Sequence, residues 1–168
     1  MKSRLVVAGF GNVLRGDDGF GVEVVRRLQE SGSAPDGTVF LEVGTGGIAL
    51  AQELLTPCDR LVIVDAMERG GAPGSVYVLQ VEGVEPSRSV DMHMAVPARA
   101  LGLAQALGAL PREVFLVGCE PAVVDELTME LSDPVNRAVD SVLVHVQNLL
   151  SRPFGSPAHS LAQGGPHG

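Results

Sequence analysis

Short apolar runs alternate with stretches of helical period along the chain, and that alternation predicts an α/β architecture. "RLVVAG" (4–9) reads as a buried strand bounded by glycine. Behind it, "GFGVEVVRRLQESG" (19–32) sets Phe20, Val22, Val25 and Leu28 at helical spacing before Ser31-Gly32 stops the run. "TVFLEV" (38–43) predicts a second strand opening into the turn-rich "GTGG", after which Ile48, Ala51, Leu54 and Leu55 predict one face of a short helix. "RLVIVDA" (60–66) is apolar on both faces until Asp65. "SVYVLQV" (75–81) follows it across only "MERGGAPG", which predicts an antiparallel neighbour of the third strand. Pro97 stands where a first helical turn tolerates proline, ahead of an Ala- and Leu-rich body ending at Gly108. "EVFLVGCEP" (113–121) is a further strand, and from Pro134 the positions Val135, Ala138, Val139, Val142, Val146 and Leu149 predict a long amphipathic closing helix.

Composition narrows this to one domain. At 168 residues, 45% hydrophobic and 19% charged, the chain is large enough for one real core. The domain is expected over residues 1–150, with 151–168, rich in Gly, Pro and Ser and lacking periodicity, as a flexible C-terminal tail. With no Trp and one Tyr, the core must be built from Val, Leu and Ala, which suits parallel strands covered by helices. The expected fold is a three-layer α/β sandwich whose central sheet of about five strands is mostly parallel, with one antiparallel strand and helices on both faces. A formal charge of −8 and a pI near 4.9 argue against nucleic acid as a partner. Cys58 and Cys119 form no C-x-x-C pair and read as reduced packing thiols. The first apolar run is far too short for a membrane span or a signal-peptide core, so no membrane partner and a cytoplasmic location are expected.

In an open α/β sheet, ligands sit beyond the carboxyl ends of the parallel strands. Asp17 and Asp18 follow the first strand, Asp65 ends the third, and His93 precedes the helix after the fourth. The loop "GFGNVLRGDDGFG" (9–21) lacks the third glycine of a dinucleotide fingerprint and the lysine of a P-loop, and paired acids repel phosphate. A tight turn that lets helix pack on strand accounts for Gly9 and Gly11 but leaves the acids unexplained. Carboxylates from two strand ends and an imidazole make an O, O, N set suited to a divalent transition metal with positions left open. Against this stand the ordinary uses of such residues, a strand-end Asp as a helix cap or turn former and a lone His as structural. Asn12 and Asp17 are assigned to the loop, Asp17 as a cap for the helix that follows. Gly44, Thr45, Gly46 and Gly47 are expected to offer backbone to an extended peptide.

The loop carries more than its spacing. "GFGNVLRGDDGFG" closely resembles the opening of the hydrogenase maturation endopeptidases, Gly-x-Gly-Asn-x-Leu-x-x-Asp-Asp/Glu-Gly-x-Gly, with every fixed position filled. "EVGTGG", "VIVDA", "HMAVPARAL", "VGCEP" and "ELSDPVNRAVDSVL" resemble later segments of that family in the same order, so the likeness spans about residues 4–150. Two departures stand out: Glu42-Val43-Gly44 where the family commonly has Asp-Gly-Gly, and Glu120-Pro121 where Gln-Pro is common.

The resemblance implies a phosphorylase/hydrolase-like sandwich and an endopeptidase, aspartic-type by family convention. Its activity would be removal of the C-terminal extension from a nickel-iron hydrogenase large-subunit precursor after nickel insertion. It further implies Asp18, Asp65 and His93 as ligands of the precursor's nickel, with Asp18 and Asp65 also catalytic. The loop residues Gly9, Gly11, Asn12, Asp17, Gly44, Thr45 and Gly46 would receive substrate. A non-proteolytic nickel-sensing chaperone and a small-molecule metal hydrolase remain the alternatives.

Overall fold

The computed structural model describes residues 3–45, 47–81 and 95–157, with the side chains of 95–100 outside that description. Five strands, β1 (Leu5–Phe10), β2 (Val39–Gly44), β3 (Arg60–Ala66), β4 (Val76–Val81) and β5 (Glu113–Cys119), form one sheet in the order β2-β1-β3-β5-β4. The first three neighbour pairs are parallel and β4 runs antiparallel to β5. The helices are α1 (Phe20–Ser31), α2 (Ile48–Glu53), α3 (Ala95–Ala106) and α4 (Asp133–Ser151). No described helix is long and apolar enough to cross a membrane.

Alternation along the buried strands builds two core layers. Val62 and Val64 join Phe20, Val24 and Leu28 of α1 and Val139, Val142 and Val146 of α4 on one face. Leu61 and Ile63 join Leu50 of α2, Leu54 just after it, and Leu101 and Ala104 of α3 on the other. This is the expected three-layer sandwich, and α4 buries all six of the apolar positions that predicted it. At the end of α1, Gly32 adopts φ 65°, the left-handed stop that Ser31-Gly32 promised.

Two local expectations are corrected. β4 is antiparallel but borders β5, not β3, because "MERGGAPG" is an eight-residue crossing rather than a tight hairpin. Its first residue crosses the end of β5, where the Met67 amide donates to the Cys119 carbonyl at 2.9 Å. Around α2 the buried positions are Leu50 and Ala51 on the helix and Leu54 just past it, while Ile48 and, beyond the helix end, Leu55 are exposed. A helix of six residues is too short for its ends to follow one stripe.

Within the segment read as a tail, Ser151 closes α4 and 152–157 returns against the start of the sheet. There the Gly155 amide donates to Glu113 at 2.7 Å and the Arg60 guanidinium lies 4.2 Å from the Phe154 ring centre.

The glycines of the first loop are spent largely on close packing. A Cβ on Gly9 would stand 2.4 Å from the Gly21 carbonyl oxygen, and one on Gly21 would stand 2.2 Å from that of Val64 and 2.6 Å from that of Phe10. Helix α1 therefore lies on β1 and β3 at a distance only glycine permits. Gly21→Ala is expected to lower unfolding free energy by about 1–3 kcal/mol or more, through overpacking against backbone that cannot yield. Gly102→Ala, where a Cβ meets nothing within 4 Å inside a helix, is expected to raise it by roughly 0.5–1 kcal/mol. Urea unfolding of the two variants checks the opposite signs.

Candidate active site

The four parallel strands, β1, β2, β3 and β5, end on one rim of the sheet, and the loops leaving them meet there. Gly11 N–H donates to the Gly44 carbonyl at 2.8 Å, tying the loop after β1 to the last residue of β2. Gly11 has φ 120°, and a Cβ on it would fall 1.8 Å from the Asp18 carbonyl oxygen, so the chain can fold back on itself only with glycine here. The Asn12 side chain accepts from the Leu14 amide at 2.9 Å, and the Asn12 carbonyl accepts from the Arg15 amide at 3.1 Å. Asn12 thus builds an Asx turn. Residues Gly16–Gly19 then form one 3-10 turn leading into α1.

Within that turn the two aspartates do different work. Asp18 is partly exposed, and its Oδ2 accepts from the Asn12 amide at 2.9 Å. Asp17 is fully buried and faces the opposite way. Its Oδ2 accepts from the amides of Ala122 and Val123 at 2.8 and 2.9 Å and from the Ser132 hydroxyl at 2.8 Å, while Oδ1 accepts from the Ser132 amide at 2.7 Å. The helix cap expected of Asp17 does not form, since neither the 3-10 turn nor α1 has a side-chain cap. Its partners are the loop after β5 and the residue that opens α4, more than 100 positions away, and no local pattern announces them.

Asp65 lies near the end of β3, buried, beside Gly118 of β5. Burial, and then the negative charge of Asp18, push its carboxyl up to about 8, against a smaller downward pull from the Ala66 amide. Two acids that sequence reasoning placed on separate strand ends are therefore within electrostatic reach of each other. Among the described residues no third His, Cys, Asp or Glu joins them in a metal-sized cluster. His93 and Gly46 lie outside the described residues. The described histidine, His145, stands on α4.

The remaining loops frame this pair. Thr45 is exposed, and Gly44 and Gly47 take φ values of 67° and 78°. Glu42 makes an exposed ion pair with Arg26 of α1. Glu120 is buried and was not singled out as a site residue. Its carboxylate accepts from the amides of Arg69 and Gly70 at 2.7 and 2.9 Å and from the Tyr77 hydroxyl at 3.3 Å, which fixes the loop that leaves β3 just beyond Asp65. Both thiols are buried; desolvation above all pushes Cys119 up to about 12 and Cys58 to about 11, so neither is a thiolate at neutral pH.

Residues 22–148 match the model of the HycI hydrogenase maturation protease family. The chain belongs to the hydrogenase maturation protease family. It is 34% identical over 142 residues to the hydrogenase expression/formation protein HupM of Azotobacter chroococcum, covering 83% of this chain and 68% of that protein. Against the solved structure of the hydrogenase maturating endopeptidase HybD from E. coli it gives a TM-score of 0.73 at 29% identity, covering 85% of this chain and 89% of the other. The maturation protease HybD from Thermococcus kodakarensis aligns with a TM-score of 0.70 at 30% identity, over 88% and 99%. The sandwich is thus that of these proteases, and the function is that of a hydrogenase maturation protease.

Proposed function

We propose that this chain removes a C-terminal extension from the large-subunit precursor of a nickel-iron hydrogenase once nickel is in place. Asp18 and Asp65, with His93, grip the nickel that the precursor carries. The observation that supports this reading is the pair Asp18 and Asp65: a buried carboxyl driven up to about 8 beside a second acid is electrostatically short of a cation. A divalent ion held by the precursor supplies that charge, so loaded substrate engages the rim and unloaded substrate does not. Oxygen ligands without thiolate suit a transient grip, and the nickel stays with the precursor. With both cysteines held as neutral thiols, attack by a water molecule is favoured, and a rim carboxylate takes its proton.

Incubation with nickel-loaded, unprocessed large subunit, followed by mass spectrometry, tests the reading. The expected result is loss of a C-terminal peptide from loaded precursor only, and a fall in rate of at least about 100-fold for Asp18→Ala, the scale of losing an oriented charged group. Full processing by Asp18→Ala, or equal cleavage of nickel-free precursor, is the result against it. An unchanged mass with a stable complex would favour the scaffold alternative.

A further inference from the structure

We propose that Asp17 is a positioning residue for this reaction: it locks the turn that presents Asp18 by clamping the loop between β5 and α4. The proposal rests on the reading of Asp18 as a ligand of the precursor's nickel.

The clamp has two parts. Asp17 itself takes four hydrogen bonds, from the Ala122, Val123 and Ser132 amides and the Ser132 hydroxyl. The backbone around it is stitched to the same loop: Asp17 N–H donates to the Val123 carbonyl at 2.7 Å, Gly16 N–H to that of Thr128 at 2.8 Å, and Thr128 N–H to that of Leu14 at 3.0 Å. Leu14, Gly16 and Asp17, the residues leading up to Asp18, are thereby tied to one partner segment, while Asp18 is restrained within its own loop by the hydrogen bond of its N–H to the Arg15 carbonyl and by the Asn12 amide. The ligand atom inherits its place from a neighbour facing the other way. Preorganised ligands of this kind fail when the supporting residue, and not only the ligand, is altered.

Asparagine is the informative substitution. It keeps shape, but one carboxylate oxygen becomes an amino group facing a backbone N–H or the hydroxyl, so part of the clamp turns repulsive. Ser132→Ala removes only the hydroxyl bond and is the milder step. Val139→Ala, a truncation in the layer between α1 and α4, supplies a protein destabilised without any change at the rim. Nickel(II) binding by the isolated proteins is measured by calorimetry at one pH, and precursor processing at a temperature well below every unfolding midpoint.

Asp17→Asn is expected to weaken nickel(II) binding and lower processing rate each at least tenfold, Ser132→Ala to fall between it and the parent, and Val139→Ala to keep both. Asp17→Asn performing like Val139→Ala while Asp18→Ala is crippled overturns the positioning role alone. Asp18→Ala performing like the parent overturns the underlying reading, and the positioning role with it.

Discussion

Asp65→Asn is expected to yield a protein that no longer processes its precursor yet is more stable than the parent at neutral pH. The folded state holds the Asp65 carboxyl near 8, against an ordinary value of 3.8, because burial and the Asp18 charge both oppose ionisation. In the unfolded chain the group ionises near 4. Between these values the native state binds more protons than the unfolded state, so unfolding free energy falls as pH rises, and above about 8 the loss is complete. Each unit is worth about 1.4 kcal/mol, which places the loss at pH 7 on the order of 2–4 kcal/mol. Asparagine cannot ionise in either state and keeps an oxygen for the Ala66 amide. The variant should therefore gain roughly 5–15 °C in melting midpoint at pH 7 and nothing at pH 3.5, flattening the pH dependence between. A divalent cation is expected to stabilise the parent, where the proposed reading has it occupy the same rim, and to have no such effect on the variant. Thermal scans from pH 3.5 to 9, with and without nickel(II), read all of this at once. Equal midpoints for parent and variant at pH 7 would mean that Asp65 is not under electrostatic strain. On the proposed reading, the stability given up at Asp65 is what a site awaiting a charged partner requires.

The placing of Asp18 and Asp65 at one rim of the sheet was legible because both stand beside local signals. Strand, glycine loop, acid pair and helix are contiguous in 4–32, and Asp65 stands at the end of an uninterrupted apolar run. The strands β3 and β5 and the buried face of α4 follow directly from apolar spacing. What stayed hidden depends on partners distant in sequence. Asp17 reads as a helix cap until Val123 and Ser132 are seen closing over it. Glu120 reads as a strand-end charge until the 69–70 amides converge on it. The position of β4 is similar, since antiparallel direction follows from a short connection but the neighbour depends on where β5 inserts. Ile48 and Leu55 were placed on a buried face by period alone, and a helix of six residues has too little length for period to decide.

Arg60 is the largest case of this kind, and its replacement should be the most destabilising single change outside the glycine loop. At the first position of β3 an arginine reads as a solvated strand end, yet its side chain is fully buried. Nε and Nη2 donate to Glu113 Oε2 at 2.9 and 2.7 Å, and Nη1 donates to the Leu149 and Arg152 carbonyls at 2.6 and 2.7 Å. One guanidinium thus neutralises a buried acid, satisfies carbonyls at the end of α4, and anchors Phe154 of the returning segment. Burial works against the Glu113 charge, but the Gly155 amide and Arg60 prevail and hold its carboxyl below the ordinary range. Arg60→Leu leaves that carboxylate buried without its main partner and should cost about 3–5 kcal/mol in unfolding free energy. The deficit should shrink toward pH 4, because an uncompensated buried carboxyl keeps its proton to higher pH and the variant then avoids the charge. Arg60→Leu with Glu113→Leu should recover part of the loss, since no lone charge remains. Processing at low temperature should be unaffected, because Arg60 and Asp65 lie at opposite ends of β3, roughly 16 Å apart along the strand. A single variant that unfolds like the parent in urea would mean that Arg60 adds no net stability, and a double variant worse than the single would mean that Glu113 is not stranded by its loss, so that the α4 carbonyls and Phe154 are what Arg60 chiefly serves.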